Sequence, residues 1–276
     1  MMTKLVNLAR KNIFFEIIIK CCCWIGFNII SGMDYVRSKF RFMGFAAPKY
    51  KKIKSLEKKY EGERCFIICT GPSLTIEDME KLKGEYTFGM NSISLLYEKT
   101  DFRPSFYGCI DEGVFIKLQD DIAKYDDSTI PVFVSPRVAK HVDLLPHWFE
   151  IPINVAYHTY DRWFKNKFWC KFSDDAYKGL YDMYSVTHFL IQVAVYMGFK
   201  EIYLLGADCN QVKGKKVHFQ DYGVPDTTID TARERNIVGY EEVKRYADSH
   251  DVKIYNATRG GMLEVFERVE LENILL

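Results

Sequence analysis

The chain has 276 residues, of which 48% are hydrophobic and 15% aromatic, enough to bury a large core in one α/β domain or one domain with an appendage. A formal net charge of +1 gives no footing for bulk nucleic-acid binding, and no nucleic-acid partner is expected. The eight cysteines include no CxxC pair, which argues against a zinc ribbon; several sit in apolar runs where a reduced, buried thiol is the ordinary state, so a cytoplasmic setting is expected.

Residues 12–30, "NIFFEIIIKCCCWIGFNII", open the chain's pattern. Glu16 and Lys20 interrupt the run and leave an apolar core of about ten residues, short of the ~20 that span a bilayer. A basic start is present, but no small-residue cleavage site follows it. Lys4, Arg10 and Lys11 precede the run, and Arg37, Lys39 and Arg41 follow it. The segment fits a helix packed on the protein or on a second subunit, a helix lying on a membrane surface, or a span. Peripheral contact with the inner face of the cytoplasmic membrane and a homo-oligomer are therefore both open. The basic stretch 47–64 links this extension, residues 1–60, to a main domain over 61–276.

From there strands and helices alternate. Strands are expected at 65–69, 86–90, 105–110, 130–134, 151–155, 201–206 and 252–255, and helices at 75–83, 112–124, 183–197 and 231–250. That alternation predicts an α/β fold: a single Rossmann-like, mostly parallel sheet with helices on both faces. The stretch at about 157–182, "YHTYDRWFKNKFWCKFSDDAYKGL" and its continuation, mixes aromatics with cations and lacks a period. It suits a lid inserted over the strand ends, or a knot of aromatics that packs the fold.

"CFIICTGPSL", residues 65–74, runs from a strand through a turn into a helix start. Gly71 lets the backbone approach a neighbour closely, Pro72 fixes one torsion, and Ser73 or Thr75 can cap the helix, with Asp78 at capping-box spacing from Thr75. Free N–H groups at such a helix start suit a phosphate. An ordinary strand–helix junction has the same pattern. Neither GxGxxG nor GxxxxGK[ST] occurs, so the dinucleotide fingerprint and the P-loop are not supported.

Other strand ends add polar groups: Asn91, Asp111 with Glu112, and Asp208 with Asn210. In an open α/β sheet ligands bind at the carboxyl ends of the strands, so these positions predict a shared cleft, although each alone suits a turn. No Asp-x-Asp follows a strand, and no metal site or cofactor is expected; the adjacent pairs Asp120–Asp121, Asp126–Asp127 and Asp174–Asp175 read as solvated charge. Among the histidines, His218 follows the Asp208 strand end, with Lys213, Lys215 and Lys216 nearby, and is the candidate general base. His188 sits in a helix-like run and suits packing. In the closing "NATRGG" segment, Thr258 and Arg259 can reach a ligand phosphate or simply form a turn.

"FIICTGPSL", "TFGMNSI", "VAVYMGFKEIYLLGADCN" and "VKIYNATRGGMLEVFERVEL" together resemble proteins of bacterial surface-polysaccharide gene clusters. Their superfamily contains the family 42 sialyltransferases, the motility accessory factors and the 6-hydroxymethylpterin diphosphokinase-like (MptE-like) proteins. The likeness covers roughly residues 50–270 and does not fix the branch. The sialyltransferase branch implies a lidded nucleotide-binding α/β domain that transfers a sugar from a CMP-sugar donor to a glycan acceptor, with inversion and without metal. It implies donor contacts at Thr70, Gly71, Pro72, Ser73, Asn91, Asp111, Ser185, Thr187 and Asn210, with His218 and Asp208 as the catalytic pair. Thr70 stands where that branch has asparagine, Asn210 where it has an aromatic hydroxyl, and an arginine expected before the long helix is missing from "LYDMYSVTHF". Lys213, Lys215, Lys216 or Arg162 are candidates to replace that charge. The diphosphokinase branch implies instead a pyrophosphoryl transfer from ATP with Mg2+ held by Asp111, Glu112 and Asp208. A non-catalytic nucleotide- or glycan-binding protein is the third expectation.

Overall fold

In the computed structural model, described over residues 12–45, 47–124, 127–160, 168–212, 217–221, 223 and 229–275, the apolar runs become the strands of one parallel sheet. The elements are helix α1 (Ile13–Phe40), α2 (Pro48–Lys51), β1 (Arg64–Ile68), α3 (Ile76–Lys81), β2 (Tyr86–Met90), β3 (Phe106–Cys109), α4 (Glu112–Lys124), β4 (Val132–Val134), β5 (Trp148–Glu150), β6 (Ile153–Asn154), α5 (Ala156–Tyr160), β7 (Leu180–Tyr181), α6 (Val186–Tyr196), β8 (Glu201–Leu205), α7 (Ile229–Ser249), β9 (Lys253–Asn256), β10 (Glu267–Arg268) and α8 (Leu271–Ile274). The sheet order is β10-β9-β8-β1-β2-β3-β4-β5, and every pairing is parallel. β6 and β7 pair separately, also in parallel.

Period-two alternation in β1 shows why the sheet carries helices on both faces. Cys65, Ile67 and Cys69 join the core beneath α6 and α7, with Phe189, Leu190, Tyr240 and Val243. Phe66 and Ile68 point the other way, into the core beneath α3 and α4, with Met79, Leu82, Phe115 and Leu118. The expected Rossmann-like α/β class is therefore what the chain adopts. The strand expected over 151–155 is displaced: β5 ends at Glu150, and only Ile153–Asn154 of that run pairs, with β7 rather than with the main sheet. Pro152 lies between the two, and its missing N–H cannot serve a ladder.

The topology places the site. From β1 the chain moves outward through β2, β3, β4 and β5, then returns to the other side of β1 as β8. The order reverses between β1 and β8, and their carboxyl ends flank the crevice where such sheets bind ligands.

α1 has 28 residues, capped by the Asn12 side chain, which accepts from the Phe14 N–H. It is longer than the apolar core read from the sequence, because Glu16 and Lys20 pair with each other at 3.1 Å along the helix instead of breaking it. By length and composition Ile13–Phe45 is able to cross a membrane.

Candidate functional site

A cavity of about 460 Å3 opens at the carboxyl ends of β1, β2, β3 and β8. Of the residues singled out in the sequence, it gathers Thr70, Gly71, Asn91, Asp111, Ser185, Thr187, Asp208, Asn210 and His218. Pro72, Ser73 and Arg259 are not on its wall. Ser73 and Arg259 line a second hollow on the other side of the β1 turn.

The turn after β1 is a packing device. A Cβ on Gly71 would lie 2.0 Å from Asp208 Oδ2 and 2.4 Å from the Gly206 carbonyl oxygen, so only glycine admits the loop after β8 at this distance. Gly71 N–H donates to Gly206 O at 3.0 Å, and the Ser73 hydroxyl donates to Asp208 Oδ2 at 2.7 Å. The turn's donors thus serve the neighbouring strand. The α3 start is closed as well: Thr75 and Asp78 form a reciprocal capping box, and Arg259 Nη1 donates to Asp78 Oδ1 at 2.7 Å. An acidic cap and its arginine occupy the position where a phosphate was expected. Arg259 belongs to that cap rather than to the cavity.

Behind the cavity, the closing motif braces the loop after β8. The Thr258 hydroxyl accepts from the Ala207 N–H at 2.9 Å, and Met262 N–H donates to Asp208 O at 2.7 Å. Gly261, at φ 73°, passes 2.9 Å from Asp208 Cα when given a Cβ, so it too has no room for a side chain. Strain concentrates here. Asn91, Tyr184 and Cys209 line the cavity and hold φ of 44°, 71° and 50°, conformations that cost of order 1 kcal/mol and gather at functional sites.

His218 is anchored on the turn. Its Nδ1 lies 3.0 Å from Thr70 Oγ1, and Phe219 N–H donates to the Thr70 carbonyl at 2.9 Å. The threonine that replaces the expected asparagine is therefore the histidine's hydrogen-bond partner. In the tautomer whose Nδ1–H donates to Thr70, Nε2 carries the lone pair that a general base needs. Ser185 caps α6, accepting from the Thr187 N–H at 3.2 Å. Cys69 and Cys209 also line the cavity, and burial pushes both thiols up to about 12, so neither is a thiolate nucleophile at neutral pH. The amide oxygens of Asn91, Asn210 and Gln211 are buried on this wall and accept no hydrogen bond from any described residue. Buried acceptors of this kind need partners, and a ligand's amino and hydroxyl groups would supply them.

Four charged residues of the wall were missed in the sequence: Arg137, His158, Asp182 and Arg235. Asp182 is buried; Arg137 pairs with its Oδ2, and His158 Nδ1 lies 3.1 Å from its Oδ1. Burial alone would raise this carboxyl, but His158 and Arg137 outweigh it and bring it below its ordinary value. Asp182 sits three residues before Ser185, in the stretch where an arginine is expected; the cation comes from the β4 end instead. Lys213, Lys215, Lys216 and Arg162 lie outside the described residues.

The carboxylates on the wall are already engaged. Asp111 Oδ1 accepts from the Val114 N–H at 2.8 Å, Asp208 from Ser73, and Asp182 from Arg137. Among the described residues no group of three His, Cys, Asp or Glu is placed to hold a metal ion.

A parallel sheet with a polar cavity at its switch point defines a Rossmann-like α/β protein whose cavity lies where such sheets bind ligands. A family model described as 6-hydroxymethylpterin diphosphokinase MptE-like matches residues 45–214, more than half of the chain, and the protein belongs to that family. This agrees with the superfamily resemblance carried by the motifs. None of the curated proteins compared with the chain matches it. Among solved structures, the chain is similar to the MAf glycosyltransferase from Magnetospirillum magneticum AMB-1, at 16% identity over 88% of this chain and 38% of that one, with a TM-score of 0.49. It is also similar to the sialyltransferase CstII from Campylobacter jejuni in complex with a substrate analogue, CMP-3FNeuAc, at 14% identity over 75% of this chain and 86% of that one, with a TM-score of 0.46. The chain thus spans well under half the length of the first of these proteins.

Proposed function

We propose that the protein is a metal-independent, inverting glycosyltransferase that uses a nucleotide-activated sugar, a CMP-sugar before others, in cell-surface polysaccharide or lipopolysaccharide synthesis. The observation that carries this reading is His218, held by Thr70 through Nδ1 on the wall of a cavity with three amide oxygens that have no partner among the described residues. The motif resemblance supplies the donor class.

In this mechanism the amides of Asn91, Asn210 and Gln211 accept from the base and ribose of the donor. His218 Nε2 takes the proton of an acceptor hydroxyl as that oxygen attacks the anomeric carbon. The bond from that carbon to the donor phosphate breaks, the nucleotide leaves with the electron pair, and the new glycosidic bond has inverted configuration. Arg137 and Arg235 are the described cations of the wall that can meet the charge on the departing phosphate, and one such preorganised donor is typically worth ~3–4 kcal/mol in the transition state. Asp182, paired with Arg137 and His158, positions the arginine and does not touch the reacting atoms.

The test is kinetic. His218→Ala is expected to lower turnover by on the order of a hundredfold or more with donor affinity unchanged, and Thr70→Val, which removes the hydroxyl that anchors the ring, by about tenfold. Full turnover in His218→Ala overturns the assignment.

A further inference from the structure

α1 has two unlike sides. Glu16, Cys23, Phe27, Asp34 and Arg41 recur at heptad-like spacing and share the side that faces the protein. Phe27 meets Tyr157 edge-on at 5.2 Å and Trp169 at 6.0 Å, Asp34 faces the backbone N–H groups of Val155 and Ala156, and Arg41 Nε donates to Lys178 O at 3.0 Å. The opposite side is apolar and uncovered: Ile17, Trp24, Ile25, Ile29, Val36 and Phe40 are each at least half exposed. At about 100° per residue this uncovered arc runs roughly 160° around the helix. The charged residues between Ile13 and Val36, namely Glu16, Lys20 and Asp34, lie on or beside the packed side, and the first two neutralise each other. On the arc, the Asn28 amide is engaged by the Trp24 carbonyl at 2.7 Å.

We propose that this arc is a membrane-docking surface whose occupant is the acyl region of a lipid bilayer, with α1 lying in the plane of the interface. Its width decides between lipid and a second copy. A helix–helix contact covers a stripe of about 100°, and pairing would leave roughly a third of this surface in water, whereas a bilayer covers all of it. The packed side decides between lying and spanning, because contacts from Phe27 to Arg41 keep the helix along the protein body. Charge agrees: Arg37 and Lys39 close the helix, and exposed Lys51 and Lys54 follow it, a basic patch that suits anionic headgroups. The surface touches the site indirectly. α1 seats on Tyr157, and the next residue, His158, lines the cavity, so a docked helix holds the cavity beside the membrane.

The experiment is co-sedimentation of the full chain with vesicles of phosphatidylcholine and phosphatidylglycerol, read against the combined substitution Ile17→Asp, Ile25→Asp and Ile29→Asp. These side chains are exposed, and circular dichroism checks that the fold is kept. The natural chain is expected to pellet with the vesicles, and the variant to lose at least about tenfold in partition. Equal binding of both, or a natural chain that stays in the supernatant, overturns the proposal. So does a stable dimer that ignores vesicles and is split by the substitutions, which assigns the arc to a second copy. No nucleotide enters the measurement, so its outcome is separate from that of the transferase reading.

Discussion

Gly71 shows how far a single residue can be taken from sequence. Its position at a strand end made it a place of close approach, and the approach is real, but the neighbour is Asp208 of the next strand end. Gly71→Ala is expected to destabilise the fold by about 1–3 kcal/mol, because the Gly206 carbonyl is backbone and cannot swing away. The urea midpoint measures this, and an unchanged midpoint contradicts the packing. Asn91 and Asp111 were legible because each sits at a strand end, His218 because it lies in the loop after the Asp208 strand end, and Ser185 and Thr187 through the motif resemblance. Arg137, His158 and Asp182 were not. They come from the turn after β4, from α5 and from the stretch after β7, and only the fold brings them to one wall. Arg259 misled because a basic residue near a strand end looks like a phosphate ligand, when the nearest anion is the Asp78 cap.

At the scale of elements, continuous apolar runs gave β1, β2 and β8 nearly to the residue, since strands buried on both faces need no other pattern. β7 and β10, each a pair of residues, carry no such signal. His188, legible in the sequence as a packing residue of a helix-like run, lies at the contact of α6 with α7. Its ring fills the space over Gly239, where a Cβ would lie 2.4 Å from Cε1, and stacks edge-on against Tyr240. Burial lowers this imidazole to about 4 from an ordinary 6.5. Below pH 6.5 the unfolded chain therefore binds a proton that the folded one refuses. Stability is complete above that value and falls as pH drops towards 4, by about 3 kcal/mol in all. Urea midpoints across this range should decline in the natural chain and flatten in His188→Gln, whatever the variant's absolute stability. A natural chain with constant midpoints over that window contradicts a buried neutral histidine.

For the whole molecule, the alternation of strands and helices was enough to fix a parallel sheet, and the parallel sheet fixed where a ligand could sit. The sequence did not contain the order in which strands lie side by side. The reversal between β1 and β8, which opens the cavity, rests on the long crossover from Glu150 at the end of β5 to Glu201 at the start of β8. Nor could it show that α1 runs along the body with its apolar arc outward, because the residues on its packed side are spread among those of the exposed one. The central claim concerns the chemistry of that cavity, and a donor panel tests it most directly. CMP-, UDP-, GDP- and dTDP-sugars, and ATP with Mg2+, are each incubated with the protein with and without EDTA, and released nucleotide is quantified. A CMP-sugar hydrolysed equally well in EDTA is the predicted result. Turnover confined to a UDP-sugar with a divalent metal, or to pyrophosphoryl transfer from ATP with Mg2+, would contradict it.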